Sequence, residues 1–216
     1  MGIQTTMSAN HYVIAHKFLA KGTCSRILDA LREIEFQQAL SSFDRKPYNL
    51  YQVFDQKKQE PTKLWNEVLQ PLDINIRSRL FAGGFDMNKN NVILSSVYIR
   101  KYEFGLQNRN QLRIHTDRAS TFSVSILLNS EFEGGEFYLY PREKFQELQE
   151  QLNNMDAEEK HVWILNQKDI PVIKLELGDL VSFRGEINEV PNFHGILPIK
   201  SGSRYAMVWF YERVHK

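Results

Sequence analysis

RIHTDRASTFSVSILLN, residues 113–129, is the stretch on which the reading of this chain turns. His115 and Asp117 stand two apart, and an alternating segment follows them directly. Phe122, Val124, Ile126 and Leu128 take one side, and Thr121, Ser123, Ser125 and Leu127 the other. A period of two marks a β-strand. The His-x-Asp pair alone has two readings, as two metal ligands or as polar residues on the wet side of a strand end. A third donor and a reason for the metal must come from elsewhere in the chain.

Outward from this stretch, the β-signal dominates from Val92 on. VILSSVYIRKYEF (92–104) reads as a long strand with Ser96, Tyr98, Arg100 and Tyr102 on one side. An EFEGG turn and the strand EFYLY (136–140) follow the motif, and HVWIL (161–165), VIKLEL (172–177), LVSF (180–183) and RYAMVWFY (204–211) read as further strands. Gly134 and Gly135 are turn glycines that tolerate positive φ, not a phosphate loop. Phe145, Leu148, Leu152 and Met155 form one apolar stripe, which predicts a helix inserted over 142–156, docked on the strands, with a substrate lid as the other reading.

Before Val92 the pattern is helical. HYVIAHKFL, from His11, reads as an opening strand, after which Thr23 or Ser25 caps a helix with Ile27, Leu28, Leu31 and Ile34 on one face. A second helical region opens at Pro61 with Leu64, Trp65, Val68 and Leu69, is interrupted by Pro71, and resumes through Leu72, Ile76 and Leu80. AGGFDMNKNN (82–91) is a turn. The expected organisation is one domain over 1–216: a flexible leader (1–10), a helical support region (11–91) and a β-barrel core (92–216). The class is α+β, around a sandwich or jelly roll.

Bulk composition narrows the function. The 216 residues suffice for one core, and 27 basic against 26 acidic residues leave a net charge of +1, which gives no drive toward nucleic acid or anionic lipid. Arg100 and Arg113 lie near the motif and read as solvated charge, with contact to a substrate as the other reading. The single cysteine, Cys24, excludes an internal disulfide and points to a reducing compartment, so a cytoplasmic protein without membrane attachment is expected. Cys24 itself reads as a buried structural thiol.

A third ligand would come from a distant strand. His11, His16, His161, His194 and His215 are the candidates; His194 is followed ten residues later by Arg204, which opens the last apolar strand. Two imidazoles and a carboxylate on one face of Fe(II) leave open positions for a chelating 2-oxo acid and oxygen. The far carboxylate of such an acid calls for an arginine inside an apolar barrel.

HTD at 115–117, ASTFSVSILLN, FEGGEFYLY, GDLVSF and HGILPIKSGSRYAMVWF occur in one order, and together they resemble the Fe(II)/2-oxoglutarate dioxygenases. The likeness is to the prolyl 4-hydroxylase group, including the procollagen lysyl hydroxylase catalytic domain, over roughly Val92 to Tyr211. It implies a double-stranded β-helix with N-terminal helices packed against it. It further implies His115, Asp117 and His194 as iron ligands and Arg204 as the 2-oxoglutarate anchor, with Tyr102 and Ser123 near the cosubstrate. Leu127 stands where some relatives carry a tyrosine. The cofactors implied are Fe(II), 2-oxoglutarate and molecular oxygen, with ascorbate as an optional stimulant. The carboxylate at Asp117 favours hydroxylation over halogenation. The expected substrate is a lysyl or prolyl side chain in a peptide or protein, with a free amino acid or small natural product as the alternative. Collagen is disfavoured, since no glycosyltransferase part or secretory signal is seen. A non-catalytic jelly-roll binder and a zinc hydrolase are the rivals of other classes.

Overall fold

The structure is a computed structural model that describes residues 5–7, 12–32, 37–40, 47–56, 61–85, 92–104, 113–117, 120–185 and 190–214. His11, Ile34 and His215 lie outside the described residues, as does most of the turn expected at 82–91.

Two antiparallel sheets face each other. The larger runs β1 (Thr5–Met7), β2 (Val13–Ala15), β10 (Leu180–Arg184), β6 (Phe122–Leu127), β12 (Ile199–Arg213), β5 (Val92–Glu103), β4 (Pro47–Asp55) and β3 (Gln37–Leu40), with β7 (Phe132–Gly134) pairing the start of β12. The smaller runs β11 (His194–Ile196), β8 (Phe137–Leu139) and β9 (Val172–Ile173). His115 extends it through an antiparallel bridge to His194. From β5 onward the chain visits the sheets in turn: large at β5, small at His115, large at β6, small at β8 and β9, large at β10, small at β11, large at β12. That alternation is the winding of a double-stranded β-helix, as the motifs implied.

Alternation along each strand sorts the core into layers. Val97, Ile99, Val124, Ile126, Met207, Trp209 and Tyr211 point outward, where Cys24, Ile27, Trp65, Leu69, Ile76 and Leu80 of the helices cover them. Tyr102, Val181, Phe183 and Ala206 point inward, against Phe137, Leu139, Ile173 and Ile196 of the smaller sheet. The covering helices are α1 (Lys21–Ala30) and α2 (Gln70–Ala82), the latter preceded by a π-helical turn, Trp65–Leu69. Trp65 links the layers: its ring stacks on Phe54 at 4.4 Å and lies 5.5 Å from Trp209. No helix among the described residues is long and apolar enough to cross a membrane.

Several expectations need correction. HVWIL is not a strand but the end of helix α4 (Ala157–Leu165), which opens on a capping box between Asp156 and Glu159. Two orphan N–H groups satisfied at the cap set that segment helical before its apolar run begins. The stripe expected over 142–156 is a 3-10 turn, Arg142–Lys144, and a shorter helix α3, Phe145–Leu152. VIKLEL is a strand only at Val172–Ile173. The region taken as helical support contains the hairpin β3–β4, whose second strand pairs β5. Within the expected leader, Thr5–Met7 pairs β2 at the sheet edge. Helix α1 starts at Lys21, capped by Ala20 without a side-chain bond, rather than at Thr23 or Ser25.

Pro71 does not break its helical region. It sits in the first turn of α2, after a π turn whose last bond runs from Gln70 N–H to Trp65 carbonyl. The wider turn absorbs a residue that lacks an N–H and crowds the carbonyl four places back.

Candidate metal and anion site

Three side chains chosen from sequence converge at one mouth of the barrel. His115 Nε2 lies 3.8 Å from Asp117 Oδ1, and His194 Nε2 lies 3.6 Å from Asp117 Oδ2. One ligand atom from each falls within 4.8 Å of the others. The register explains the meeting. His115 and His194 exchange both backbone bonds, N–H to carbonyl, at 3.0 and 2.9 Å, which fixes them as a directly opposed pair. Their rings are 4.3 Å apart.

The tautomer of each ring follows from its partner. His115 Nδ1 donates to the Arg113 carbonyl at 2.9 Å, and His194 Nδ1 donates to the Asn192 carbonyl at 3.1 Å. A carbonyl only accepts, so the proton of each neutral ring sits on Nδ1 and each Nε2 turns a lone pair toward Asp117. Burial, then His194, pushes the His115 pKa down to about 3, and burial lowers His194 as well. Three-tenths of the His115 side chain still reaches solvent, so its neighbours matter beside burial. Burial opposes the charge on Asp117, but the positive charge that His194 or His115 would take up on protonation, with Ser123 and Arg100, outweighs it and holds its pKa below the usual carboxylate value. The result is two neutral nitrogen donors and one carboxylate on one side of a shared point. That donor set suits a divalent transition metal.

Arg204 and Tyr102 lie opposite each other on β12 and β5. The Arg204 guanidinium sits over the Tyr102 ring at 5.4 Å, 1% of the residue is exposed, and its Nη1 has no hydrogen-bond partner among the described residues. A buried, unsatisfied cationic donor is costly unless an anion meets it. Gly135 makes room beside it: a Cβ there would fall 2.3 Å from Ile199 Cδ1 and 3.1 Å from Arg204 Cδ. Gly134 and Gly135 both have positive φ, 72° and 67°, as a turn pair should.

Ser123 is fully buried and bonds Asp117 and, at 2.8 Å, Ser120 Oγ. It therefore stands with the triad, six β12 residues, about 20 Å of strand, from the Arg204 rung. Leu127 lines the inner face opposite Ala206. His16 is drawn elsewhere, to Asp179 at 3.0 Å, and His161 is buried in α4.

Two supporting asparagines were not singled out from sequence. Asn129 donates to the Ser203 carbonyl at 2.7 Å and accepts from Tyr205 N–H at 2.8 Å, clamping β12 on both sides of Arg204. Asn192 donates to the Tyr140 carbonyl at 3.0 Å and accepts from Arg184 N–H at 3.2 Å, fixing the carbonyl that orients His194. Leu148 and Leu152 of α3 pack with Ile114 and Phe193, the residues just before each histidine, and Phe145 stacks on Phe193 at 5.4 Å. The inserted helix is thus docked behind both ligand segments. Arg100, read from sequence as solvated, is half-buried on the inner face, and its charge acts on all three ligands.

By sequence, no family model and no curated protein matches the chain. By structure, it is similar to a 2OG-Fe(II) oxygenase family oxidoreductase from Burkholderia pseudomallei, at 16% identity and TM-score 0.61, over 95% of this chain and 87% of that one. It is similar also to a prolyl-4-hydroxylase from Pseudomonas putida, at 15% identity and TM-score 0.60, over 96% and 95%. A third likeness is to a Trichoplax adhaerens prolyl hydroxylase in complex with a hypoxia inducible factor peptide fragment, at 14% identity and TM-score 0.61, over 95% and 84%. The fold of this chain is that of the 2OG-Fe(II) oxygenases, in the form shared by prolyl 4-hydroxylases.

Proposed function

We propose that the protein is an Fe(II)- and 2-oxoglutarate-dependent hydroxylase that acts on a C–H bond of a prolyl or lysyl side chain in a peptide or protein. One observation carries the reading: a facial set of two neutral Nε2 donors and a carboxylate shares its barrel with a buried guanidinium that has an orphaned donor. Each half alone would serve other chemistry equally well. A zinc hydrolase uses the first and has no need of the second.

The residues present fit both groups. His115, Asp117 and His194 would hold the metal, each histidine kept in the right tautomer by a backbone carbonyl. Ser123 donates to Asp117 and keeps the carboxylate ionised and oriented. Arg204 would take the distal carboxylate of 2-oxoglutarate bidentately, its plane set by Tyr102 beneath and Asn129 at its backbone. Phe137 and Phe183, 5.9 and 4.3 Å from the His194 ring, keep water from one side of the site. When bound, iron and 2-oxoglutarate supply the oxidising chemistry, and the protein supplies binding and orientation. The peptide-bound neighbour from Trichoplax adhaerens supports a peptide or protein substrate. The lone, buried Cys24 supports a cytoplasmic setting.

The test is an anaerobic optical titration with Fe(II) and 2-oxoglutarate. The wild type should develop a weak visible charge-transfer band, His115→Ala should lose it, and Arg204→Gln should need at least tenfold more 2-oxoglutarate. A folded wild type that retains iron and shows no band would rule the mechanism out.

A further inference from the structure

Asp117 turns both of its oxygens toward the paired histidines. Oδ1 lies 3.8 Å from His115 Nε2 and Oδ2 lies 3.6 Å from His194 Nε2. A carboxylate so placed can give a metal one oxygen or both. The difference decides what the site can hold. With one oxygen bound, the open positions take a chelating 2-oxo acid and oxygen together; a second oxygen would fill one of those positions.

Two serines compete with the metal for that second oxygen. Ser123, fully buried, bonds Asp117, and its Oγ lies 2.8 Å from the Oγ of Ser120, itself 1% exposed. An ionised carboxylate only accepts, and a serine hydroxyl carries a single proton. The Ser123 proton therefore goes to Asp117, and Ser120 must be the donor in the contact between the serines. The result is a one-way chain from Ser120 through Ser123 to Asp117, in which each bond polarises the next.

The fold keeps a place for Ser120. Its N–H and hydroxyl reach the Asp117 carbonyl only at 3.5 and 3.4 Å, a weak closure of the turn beside the 2.8 Å contact with Ser123. Gly185, just past β10, donates its N–H to the Thr121 carbonyl at 3.0 Å, so its backbone is fixed alongside. A Cβ there would fall 2.2 Å from both the carbonyl oxygen and the Oγ of Ser120. The adjoining strand end is thus shaped around this hydroxyl.

We infer that Ser120 is a positioning residue, which acts through Ser123 to commit one oxygen of Asp117 and so holds that carboxylate to a single bond with the metal. This rests on the metal half of the function proposed above and goes beyond it by naming what keeps a coordination position open. A serine that only closed the turn after Asp117 would support the fold without acting through Ser123, and the two roles predict different results.

The experiment counts open positions with Mn(II) as the probe, from water-proton relaxation of the Mn(II)-loaded full chain without 2-oxoglutarate. Urea midpoints of the same variants, metal-free, report folding. Ser123→Ala should lower the relaxation enhancement by about a third, the loss of one exchanging water from the open face of the site. Ser120→Ala should lower it by part of that amount. The double variant should match Ser123→Ala alone, because a chain that acts through Ser123 has no effect once Ser123 is gone. Where an alanine variant does not fold, Ser120→Cys or Ser123→Cys replaces it, since a thiol is close in size and donates weakly. An unchanged enhancement in the Ser123 variant overturns the inference. So does a Ser120 effect that is absent, or one that adds in full to the Ser123 effect. A wild type that binds Mn(II) but gives no charge-transfer band with Fe(II) and 2-oxoglutarate removes the proposed activity and leaves this inference to the relaxation data. A wild type that binds no divalent metal removes both.

Discussion

His115 and His194 are a directly opposed, doubly hydrogen-bonded pair in the smaller sheet, and each aims the same ring nitrogen at Asp117. Residues seventy-nine apart in the chain are therefore set by one register. Anything that slips the register moves both donors at once.

Gly195 tests that dependence. A Cβ there would fall 2.2 Å from the Tyr138 hydroxyl and 2.8 Å from the Arg113 carbonyl, the same carbonyl that orients His115. Gly195→Ala should cost about 1–3 kcal/mol of stability through overpacking and weaken metal binding at least tenfold. Tyr138→Phe in the same chain removes only the hydroxyl and leaves the ring carbon Cζ 2.5 Å from the new methyl, so it should recover little of either loss, read by calorimetry and metal titration.

Leu148→Ala probes the helix behind the ligands. Leu148 is buried against Ile114 and Phe193 without touching the proposed metal position. A loss of about 2–5 kcal/mol is expected from the cavity, with metal affinity falling further than a remote core truncation of equal cost, such as Ile27→Ala. Equal metal affinity in the two variants would show that α3 supports the fold and not the site.

Asn129→Ala separates the anchor from the metal. Removing both backbone bonds beside Arg204 should raise the 2-oxoglutarate dissociation constant about five- to fiftyfold, the equivalent of one or two hydrogen bonds. Fe(II) affinity without 2-oxoglutarate should stay within twofold.

Acid should destabilise the metal-free protein before it reaches the ordinary carboxylate range. His115 and His194 are held neutral, with folded pKa values below the free value of 6.5. A depressed histidine contributes stability that is intact above its unfolded pKa and declines below it, until the folded pKa, about 3 for His115, is passed. Asp117, also depressed, adds a second loss at lower pH. Urea midpoints of the apoprotein should fall from pH 7 to pH 4, and His115→Gln should flatten part of that decline above pH 4.5.

The legible and illegible parts of this chain divide by the range of the signal. Alternation in 121–128 and in 92–103 is local, and the structure has strands in both places. The ordered motifs implied His115, Asp117 and His194 as one set through their resemblance to a known family, and the structure brings the three together. The segment 161–165 was misread because its apolar run suits strand and helix alike, although Asp156 and Glu159 stood ahead of it as a cap signal. The hairpin β3–β4 was hidden for another reason. It depends on which strand lies alongside β5, and no local pattern carries that, whereas the side that Arg100 takes follows from the alternation it shares with Tyr102. The resemblance implied Ser123 near the cosubstrate; in the structure its partner is Asp117, a contact that only the fold reveals.

The donors at His115 and His194 belong to the smaller sheet, while Arg204 and Tyr102 belong to the larger. A molecule gripped at both ends would be a strut between two walls, and the spacing of the walls acts as a caliper on its length. Homologues of 2-oxoglutarate one carbon shorter or longer keep both charges yet misfit that gauge, so the barrel itself would select the cosubstrate by length.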